Sequence, residues 1–177
     1  MSIRTAAELL KHYAEYHRDR RNIATHLLGV PLVVLALGML LARPSFVVAG
    51  WLLSPAWLLW LAVAAWYLTR GELLLGLVTS MGIALLLGLA QWLGPAALLA
   101  GLVCSALLLL SGVMVQLVGH YYEGRGPAFA DEPSGLLVGP MFVALEVLSA
   151  IGLCQRLARE VERHAGPTLL RDLAHPA

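Results

Sequence analysis

Two short polar segments, each containing histidine, stand at the edges of long apolar runs in this chain. The first contains His17 and His26, and the second contains His120 and Glu123. Ionisable groups beside membrane segments are usually functional, and imidazole is the commonest metal ligand in proteins. Imidazole together with carboxylate suits a non-haem Fe(II) centre that leaves positions open for oxygen and substrate. The residue types therefore predict a metal site at a membrane boundary.

The spacing in the first segment predicts a bent chain. His17 and His26 are nine residues apart, which places them on opposite faces of a straight helix with about 3.6 residues per turn. They can share one ligand only if the chain turns between them. The polar run 19–22 is predicted to supply that turn, with Asn22 as the N-cap of the following helix.

The spacing in the second segment predicts a shared helical face. His120 and Glu123 are three residues apart, and Gln116 lies one turn earlier on the same face if the preceding helix continues. A glutamate and a histidine at this spacing are a common way for helices to present metal ligands.

Other histidines are weaker candidates. His12 is a further candidate metal ligand, although it lies about 140° from His17 around their common helix. His164 and His175 fall in a charged tail and are expected to be solvated. Histidine, tyrosine and arginine also anchor helices in the headgroup region, so an anchoring role stays open for any single residue of this kind.

The composition predicts a polytopic membrane protein. Of the 177 residues, 59% are hydrophobic and 13% are charged, whereas soluble domains are about 25% charged. No Asp, Glu, Lys or Arg occurs over 73–119, and this stretch is long enough for two spans of about 20 residues each. A soluble helical core would need polar helix faces, which are absent here. The chain also lacks a basic patch with interleaved aromatics, so no nucleic-acid partner is expected.

The apolar runs predict an all-α membrane helical bundle that forms a single domain over 1–177. An amphipathic helix and turn occupy 1–22, and Thr5 with Glu8 fits a capping box at the start of that helix. Glycines inside the apolar helices, such as Gly82 and Gly112, are expected to allow close helix packing. Four spans are predicted within 23–118, namely 23–41, 46–69 (kinked at Ser54-Pro55), 73–93 and 96–118. A loop at 119–135, a weaker fifth or re-entrant segment at 136–154 and a charged tail at 155–177 complete the chain. The tail is expected to be a solvated helix with a short disordered end.

The charge distribution predicts that both polar segments face the cytoplasm. A cluster of four cationic residues before the first span should remain cytoplasmic: Lys11, Arg18, Arg20 and Arg21. Four spans return the chain to the same side, so the two histidine segments can meet. The arginines of the tail also prefer the cytoplasm, which favours a re-entrant last segment.

The two segments resemble the two signatures of the Mpo1-like family of 2-hydroxy fatty acid dioxygenases, long known as a domain of unknown function. The first signature, Tyr-His-x4-Asn-x3-His-x2-Gly-x-Pro, corresponds to residues 16–31. The second, Gln-x2-Gly-His-x2-Glu-Gly-Arg-x-Pro-Ala, corresponds to residues 116–128. Pro140 and Glu146 also fit the family pattern, and the resemblance covers about residues 13–148.

The resemblance implies an integral-membrane, Fe(II)-dependent enzyme that uses molecular oxygen to shorten 2-hydroxy fatty acids by one carbon. Three residues are implied at the iron site: His17, His26 and His120. Three more carry over by position without an assigned role: Asn22, Gln116 and Glu123. Of these, Asn22 and Glu123 are predicted to be catalytic, as is Arg125. The guanidinium of Arg125 is the candidate partner of the substrate carboxylate, because it can bind a carboxylate through two nitrogens.

Other functions and the location follow from the same features. A non-enzymatic metal-binding membrane protein or scaffold is the alternative, and the scarcity of charges deep in the spans argues against an ion transporter. The use of Leu, Ala and Arg is typical of bacterial proteins, so a bacterial inner membrane is expected, with lipid as a partner. A homo-oligomer is compatible with these features.

Overall fold

The computed structural model describes residues 4–43, 45–94 and 97–172, and most of this length is helical. The elements, in chain order, are α1 (Ala6–Ala14), α2 (Arg20–Leu41), β1 (Phe46–Val48), β2 (Trp51–Leu53), α3 (Pro55–Leu68), α4 (Leu73–Leu93), α5 (Leu98–Glu123), α6 (Ala128–Asp131), α7 (Gly135–Ala150) and α8 (Gln155–Ala165). The predicted helical class is confirmed, with one small β-hairpin added.

Three helices, α2, α4 and α5, are long and apolar enough to cross a membrane. They contain 22, 21 and 26 residues, and about 20 residues span the hydrocarbon core. Helix α4 has the predicted bounds, whereas α2 begins three residues earlier than predicted and α5 continues to Glu123. Helices α7 and α8 are bent by 116° at a short break, and they would add a fourth span if counted together. The described chain is thus a membrane protein with three or four apolar spans, and the predicted four spans plus a fifth or re-entrant segment are not confirmed.

The prediction of one kinked helix over 46–69 is wrong. Residues 46–53 form an antiparallel hairpin, in which Ala49 and Gly50 make the turn with φ angles of 49° and 83°. Two successive positive φ angles match the twist of a tight hairpin. Pro55 then starts α3 instead of kinking it, because the first residue of a helix needs no amide donor. Helix α3 has only 14 residues, which is short for a span.

The chain still returns to its starting side after α5. Helices α2 and α4 run away from α1, and α3 and α5 run back towards it. At the end near α1, the Ala6 amide donates to the Arg70 carbonyl, just after α3. At the far end, the side-chain amide of Gln91 on α4 lies 3.4 Å from the hydroxyl of Ser54, the residue before α3. The first residues of α2 and the last residues of α5 therefore share one end of the bundle.

Helix α1 is amphipathic, as predicted, and its capping box is present. The Glu8 amide donates to the Thr5 hydroxyl, and the Glu8 carboxylate accepts from the Thr5 amide at 2.7 Å. Its buried face packs against α7 and α8 in the main hydrophobic core. The innermost side chains of this core belong to α1, α3, α4 and α7 and are less than 2% exposed: Leu10, Tyr67, Leu75, Met141, Phe142 and Leu145. The core therefore supports the end of the bundle at which α2 begins and α5 ends.

Small residues bring α2 and α5 into close contact. A Cβ atom on Gly112 would lie 3.0 Å from the Gly29 carbonyl oxygen, and one on Gly29 would lie 2.8 Å from that of Gly112. A Cβ on Gly119 would lie 2.0 Å from the Thr25 hydroxyl. Close backbone approach of this kind is typical of membrane helix pairs. The packing prediction is confirmed at Gly112 and wrong at Gly82, because no atom of the described residues lies within 4 Å of a Cβ built there.

Substitution of Gly119 by alanine is expected to destabilise the protein by about 1–3 kcal/mol, the usual penalty for overpacking. The added methyl group would also meet Asn22, whose Cα would be 3.0 Å away. Thermal unfolding in detergent measures the effect. Gly82→Ala is the matched control and should be neutral or slightly stabilising, because alanine is the better helix former. Equal unfolding temperatures for the two variants would contradict the close-packing role.

Candidate metal centre

The chain turns sharply between α1 and α2. Helix α1 ends at Ala14 and α2 begins at Arg20, and Asp19 is the N-cap, accepting a 2.8 Å hydrogen bond from the Arg21 amide. The bend therefore occupies 15–19 rather than the predicted 19–22. Asn22 lies within the first turn of α2 and is not the N-cap, because the Asp19 carboxylate already fills that role. The turn carries His17 back towards α2.

The hydrogen bonds of His17 and His26 determine their tautomers. The His17 Nδ1 atom lies 2.8 Å from the Tyr13 carbonyl oxygen, and the His26 Nδ1 atom lies 2.9 Å from the Asn22 carbonyl oxygen. A carbonyl oxygen can only accept, so each Nδ1 carries the proton. In the neutral rings both Nε2 atoms then hold lone pairs, and these two atoms are 3.2 Å apart. The two lone pairs face each other with no proton between them.

His120 completes a group of three. Its ring centre lies 5.0 Å from the ring centres of both His17 and His26. One potential ligand atom from each histidine lies within 4.8 Å of the others, and all three residues are buried. The His120 Nδ1 atom is also buried and has no hydrogen-bond partner among the described residues. Helix α2, helix α5 and the bend thus each contribute one imidazole.

This donor set fits a bound metal ion. Histidine nitrogens bind such ions at about 2.0–2.1 Å, so two nitrogens 3.2 Å apart can reach the same ion. Burial, and after it the neighbouring His26, holds the pKa of His17 well below its usual range. The ring therefore stays in the neutral form that metal binding requires. Imidazole ligands suit iron, zinc, copper and nickel, and the geometry does not distinguish among them.

Glu123 binds the backbone of the bend. Its carboxylate is fully buried, and its Oε2 atom accepts from the Arg18 amide at 2.9 Å and the Asp19 amide at 2.7 Å. The Asn22 side-chain amide also donates to Oε2 at 3.1 Å, and to the Tyr16 carbonyl at 2.9 Å. These contacts give Glu123 and Asn22 a positioning function around the histidines. A direct catalytic role for either residue stays a prediction.

The carboxy-terminal tail also reaches this bend, and sequence reasoning missed it. Leu169 forms a parallel β-bridge with Asp19, in which its amide donates to the Arg18 carbonyl at 2.9 Å. Arg171 Nη2 lies 2.9 Å from Glu123 Oε1. The expected disordered end is therefore wrong for this part of the tail. No local pattern near Leu169 indicated the contact, because it depends on the packing of α8 against α1.

The side chains of two other predicted residues contact groups outside the three-histidine cluster. The His12 side chain is 43% exposed and lies 3.6 Å from both Glu15 and Glu132. Arg125 is exposed, donates to the Glu15 carbonyl at 2.9 Å, and places its guanidinium 4.5 Å from the centre of the Tyr16 ring. The metal role of His12 and the carboxylate-binding role of Arg125 stay predictions.

The remaining candidates are also apart from the cluster. His164 is exposed and lies 3.0 Å from a Glu15 carboxylate oxygen, as expected for a surface residue. His175 lies outside the described residues. Glu146 on α7 interacts electrostatically with the buried Arg18.

An apolar cavity of about 370 Å³ adjoins two of the three histidines. His26 and His120 line the cavity near the α1 end of the bundle. Leu37 on α2 and Leu109 on α5 line it 11 residues away from these histidines, towards the opposite end of the bundle. Eleven residues of helix are about 16 Å long. Four lining residues are also exposed on the outer surface of the bundle: Leu37, Val113, Leu117 and Leu136. The cavity therefore opens towards the lipid-facing surface.

Tyr13 is a functional candidate that sequence reasoning treated only as part of an apolar helix face. Its ring stacks on His17 at 4.1 Å, with an angle of 8° between the ring planes. It also lines the cavity, as does Gln116 on α5. Burial raises the pKa of Tyr13, so its hydroxyl stays protonated. Apart from the two histidines, these residues supply the polar side chains of the cavity wall. The spacing of four residues between Tyr13 and His17 is the signal that could have indicated their contact.

Comparison with known proteins agrees with the geometry. A family model described as 2-hydroxy-palmitic acid dioxygenase Mpo1-like matches residues 3–151. No curated protein and no solved structure is significantly similar to the chain. The match covers most of the chain and includes both polar segments with all three buried histidines. The protein therefore belongs to the Mpo1-like family.

Proposed function

We propose that this protein is an Fe(II)-dependent membrane dioxygenase that shortens 2-hydroxy fatty acids by one carbon. The observation that carries the proposal is the pair of facing Nε2 atoms of His17 and His26, 3.2 Å apart, beside a cavity open to the lipid-facing surface. Unprotonated nitrogens that face each other in a buried site are stabilised by a cation, and an apolar cavity suits an acyl chain. The family description supports the choice of reaction and substrate.

The three histidines would hold the iron, and the rest of the site would bind the substrate around it. When bound, Fe(II) would supply oxygen activation and a site for chelation by the 2-hydroxycarboxylate group. The Tyr13 and Asn22 carbonyls keep His17 and His26 in the tautomer that presents Nε2. The cavity would take up the acyl tail and exclude water from the head group.

Polar groups near the histidines are proposed to bind the substrate head group. Tyr13 and Gln116 line the cavity and can donate hydrogen bonds to a carboxylate or hydroxyl oxygen. Arg125 remains our proposed partner for the carboxylate, because it lies two residues before the cavity-lining Pro127.

The proposed reaction balances without a separate reductant. A 2-hydroxy acid and one molecule of oxygen give the acid one carbon shorter, carbon dioxide and water. The bond between the carboxyl carbon and the hydroxyl-bearing carbon breaks, and the substrate supplies all four electrons that reduce oxygen. The sequence accordingly contains no Gly-rich dinucleotide-binding fingerprint after a strand.

We propose that the site faces the cytoplasm of a bacterial inner membrane. Several cationic residues lie at the α1 end of the bundle, and such residues are enriched on the cytoplasmic side: Lys11, Arg18, Arg20, Arg21 and the arginines of α8. A non-enzymatic metal-binding protein is the second candidate, because the histidine cluster alone would serve it equally well.

His17→Ala, His26→Ala and His120→Ala are each expected to abolish stoichiometric iron binding, because each removes one of three ligands. Elemental analysis of protein purified in detergent measures iron per chain, and size-exclusion chromatography checks the fold. His164→Ala is the control and should retain iron, because His164 is exposed and distant from the cluster. Iron at the wild-type level in any of the three variants would remove that residue from the ligand set.

Reduced, iron-loaded protein is expected to convert a long-chain 2-hydroxy fatty acid and oxygen to the acid one carbon shorter. The unhydroxylated acid should react far more slowly, because it lacks the second chelating oxygen. Mass spectrometry of the products measures both reactions. Equal turnover of the two acids would contradict chelation, and iron-loaded protein without product at any chain length would favour the non-enzymatic alternative.

Leu109→Trp is expected to shift the preferred substrate towards shorter chains, because it fills the end of the cavity away from His120. Competition among 2-hydroxy acids of different lengths measures the preference. Leu107→Trp is the matched control on the same helix: Leu107 is 60% exposed and does not line the cavity. An unchanged chain-length profile in Leu109→Trp would show that the cavity does not hold the acyl tail.

A further inference from the structure

The last described residues of the chain form a strap across the bend that carries His17. We define the strap as residues 166–171, which lie beyond the region that matches the family. The Leu169 carbonyl accepts a hydrogen bond from the Arg20 amide, and the Leu169 amide donates to the Arg18 carbonyl, each at 2.9 Å. The Arg171 amide donates to the Asp19 carboxylate at 2.8 Å. The strap is thus bonded to the three successive residues after His17, the last of which begins α2.

The strap also brings a cation to a buried anion. The Glu123 carboxylate is fully buried, and Arg171 Nη2 lies 2.9 Å from its Oε1 atom. No other ion pair to Glu123 occurs among residues 4–43, 45–94 and 97–172. A buried carboxylate without a counter-charge is strongly destabilised. Arg171 therefore places a positive charge beside Glu123, while the same carboxylate accepts from the backbone of the bend.

This pairing bears directly on the histidines. Glu123 holds the amides of Arg18 and Asp19, which follow His17 in the chain. If the carboxylate turned away, these amides would lose their acceptor, and His17 would lose its fixed position opposite His26. From these contacts we infer that Arg171 is a positioning residue for the three-histidine metal site and acts through Glu123. The inference rests on the proposed metal site but does not depend on the oxygenase reaction.

Titration with Co(II) tests the inference without any activity measurement. Cobalt is a coloured probe whose visible absorption reports both binding and ligand geometry. Arg171→Met is expected to weaken Co(II) binding about 10–100-fold, the usual effect of losing a residue that supports metal ligands, and to alter the spectrum. Arg159→Met is the matched control, because Arg159 is exposed on α8, and it should bind as wild type does. Arg171→Lys keeps the charge and should bind more tightly than Arg171→Met.

A double-mutant cycle shows whether the effect passes through Glu123. In the Glu123→Gln background residue 123 has no negative charge for Arg171 to pair with, so Arg171→Met should cause little further loss. This background also keeps the test valid if the single Arg171→Met variant fails to fold. The inference would be overturned if the two losses of Co(II) affinity multiplied in the double variant, or if Arg171→Met bound Co(II) as tightly as wild type does. Neither result would contradict the proposed function. A wild-type protein that binds no Co(II) or Fe(II) would overturn the proposed function as well.

Discussion

The buried carboxylate of Glu123 is the contact on which the site depends. It ends α5 and accepts two backbone amides from the bend between α1 and α2, so it joins the two polar segments directly. Backbone hydrogen bonds offset part of the cost of burying a carboxylate. Arg171 supplies its counter-charge from a third segment of the chain. Three distant parts of the sequence therefore meet at one side chain, and the histidines lie beside it.

The second constraint is the close approach of α2 and α5. Glycines at 29, 112 and 119 let the two backbones come near enough for His26 and His120 to point into the same space. In lipid, where apolar side chains gain little by leaving the solvent, such packing depends on shape and small residues. The same two helices, together with α7, also line the cavity beside His26 and His120.

The polar groups are concentrated at one end of an otherwise apolar bundle. Arg18, Asp19 and Glu123 are buried there with backbone or ionic partners. The Arg21 guanidinium, followed by backbone amides, lowers the pKa of Asp19 to about 2. The site therefore combines fixed charges at the membrane boundary with an apolar cavity that extends into the bundle. A lipid with a charged head group and a long apolar tail matches this arrangement, with the head group near the charges and the tail in the cavity.

The sequence by itself determined the membrane class, the histidines and the family. Uninterrupted apolar runs show where helices must satisfy their own backbone in lipid, so α4 was predicted with its observed bounds. Histidine spacing predicted that the chain bends after α1, because a straight helix would separate His17 from His26. Local patterns failed over 46–53, where a helix was predicted and the chain forms a hairpin around a two-residue turn with positive φ angles.

Only the tertiary structure decided what the residues near the histidines contact. A glutamate three residues after His120 can bind a metal or a backbone amide equally well, and the choice depends on where the bend lies in space. Arg171 and Leu169 reach the site from the segment after α8, which packs against α1. Contacts between residues dozens of positions apart leave no local pattern, because neither partner carries a periodicity that refers to the other. The spacing of residues specifies which side chains share a helix face and where the chain turns. Which helix faces then contact each other depends on how the whole chain packs.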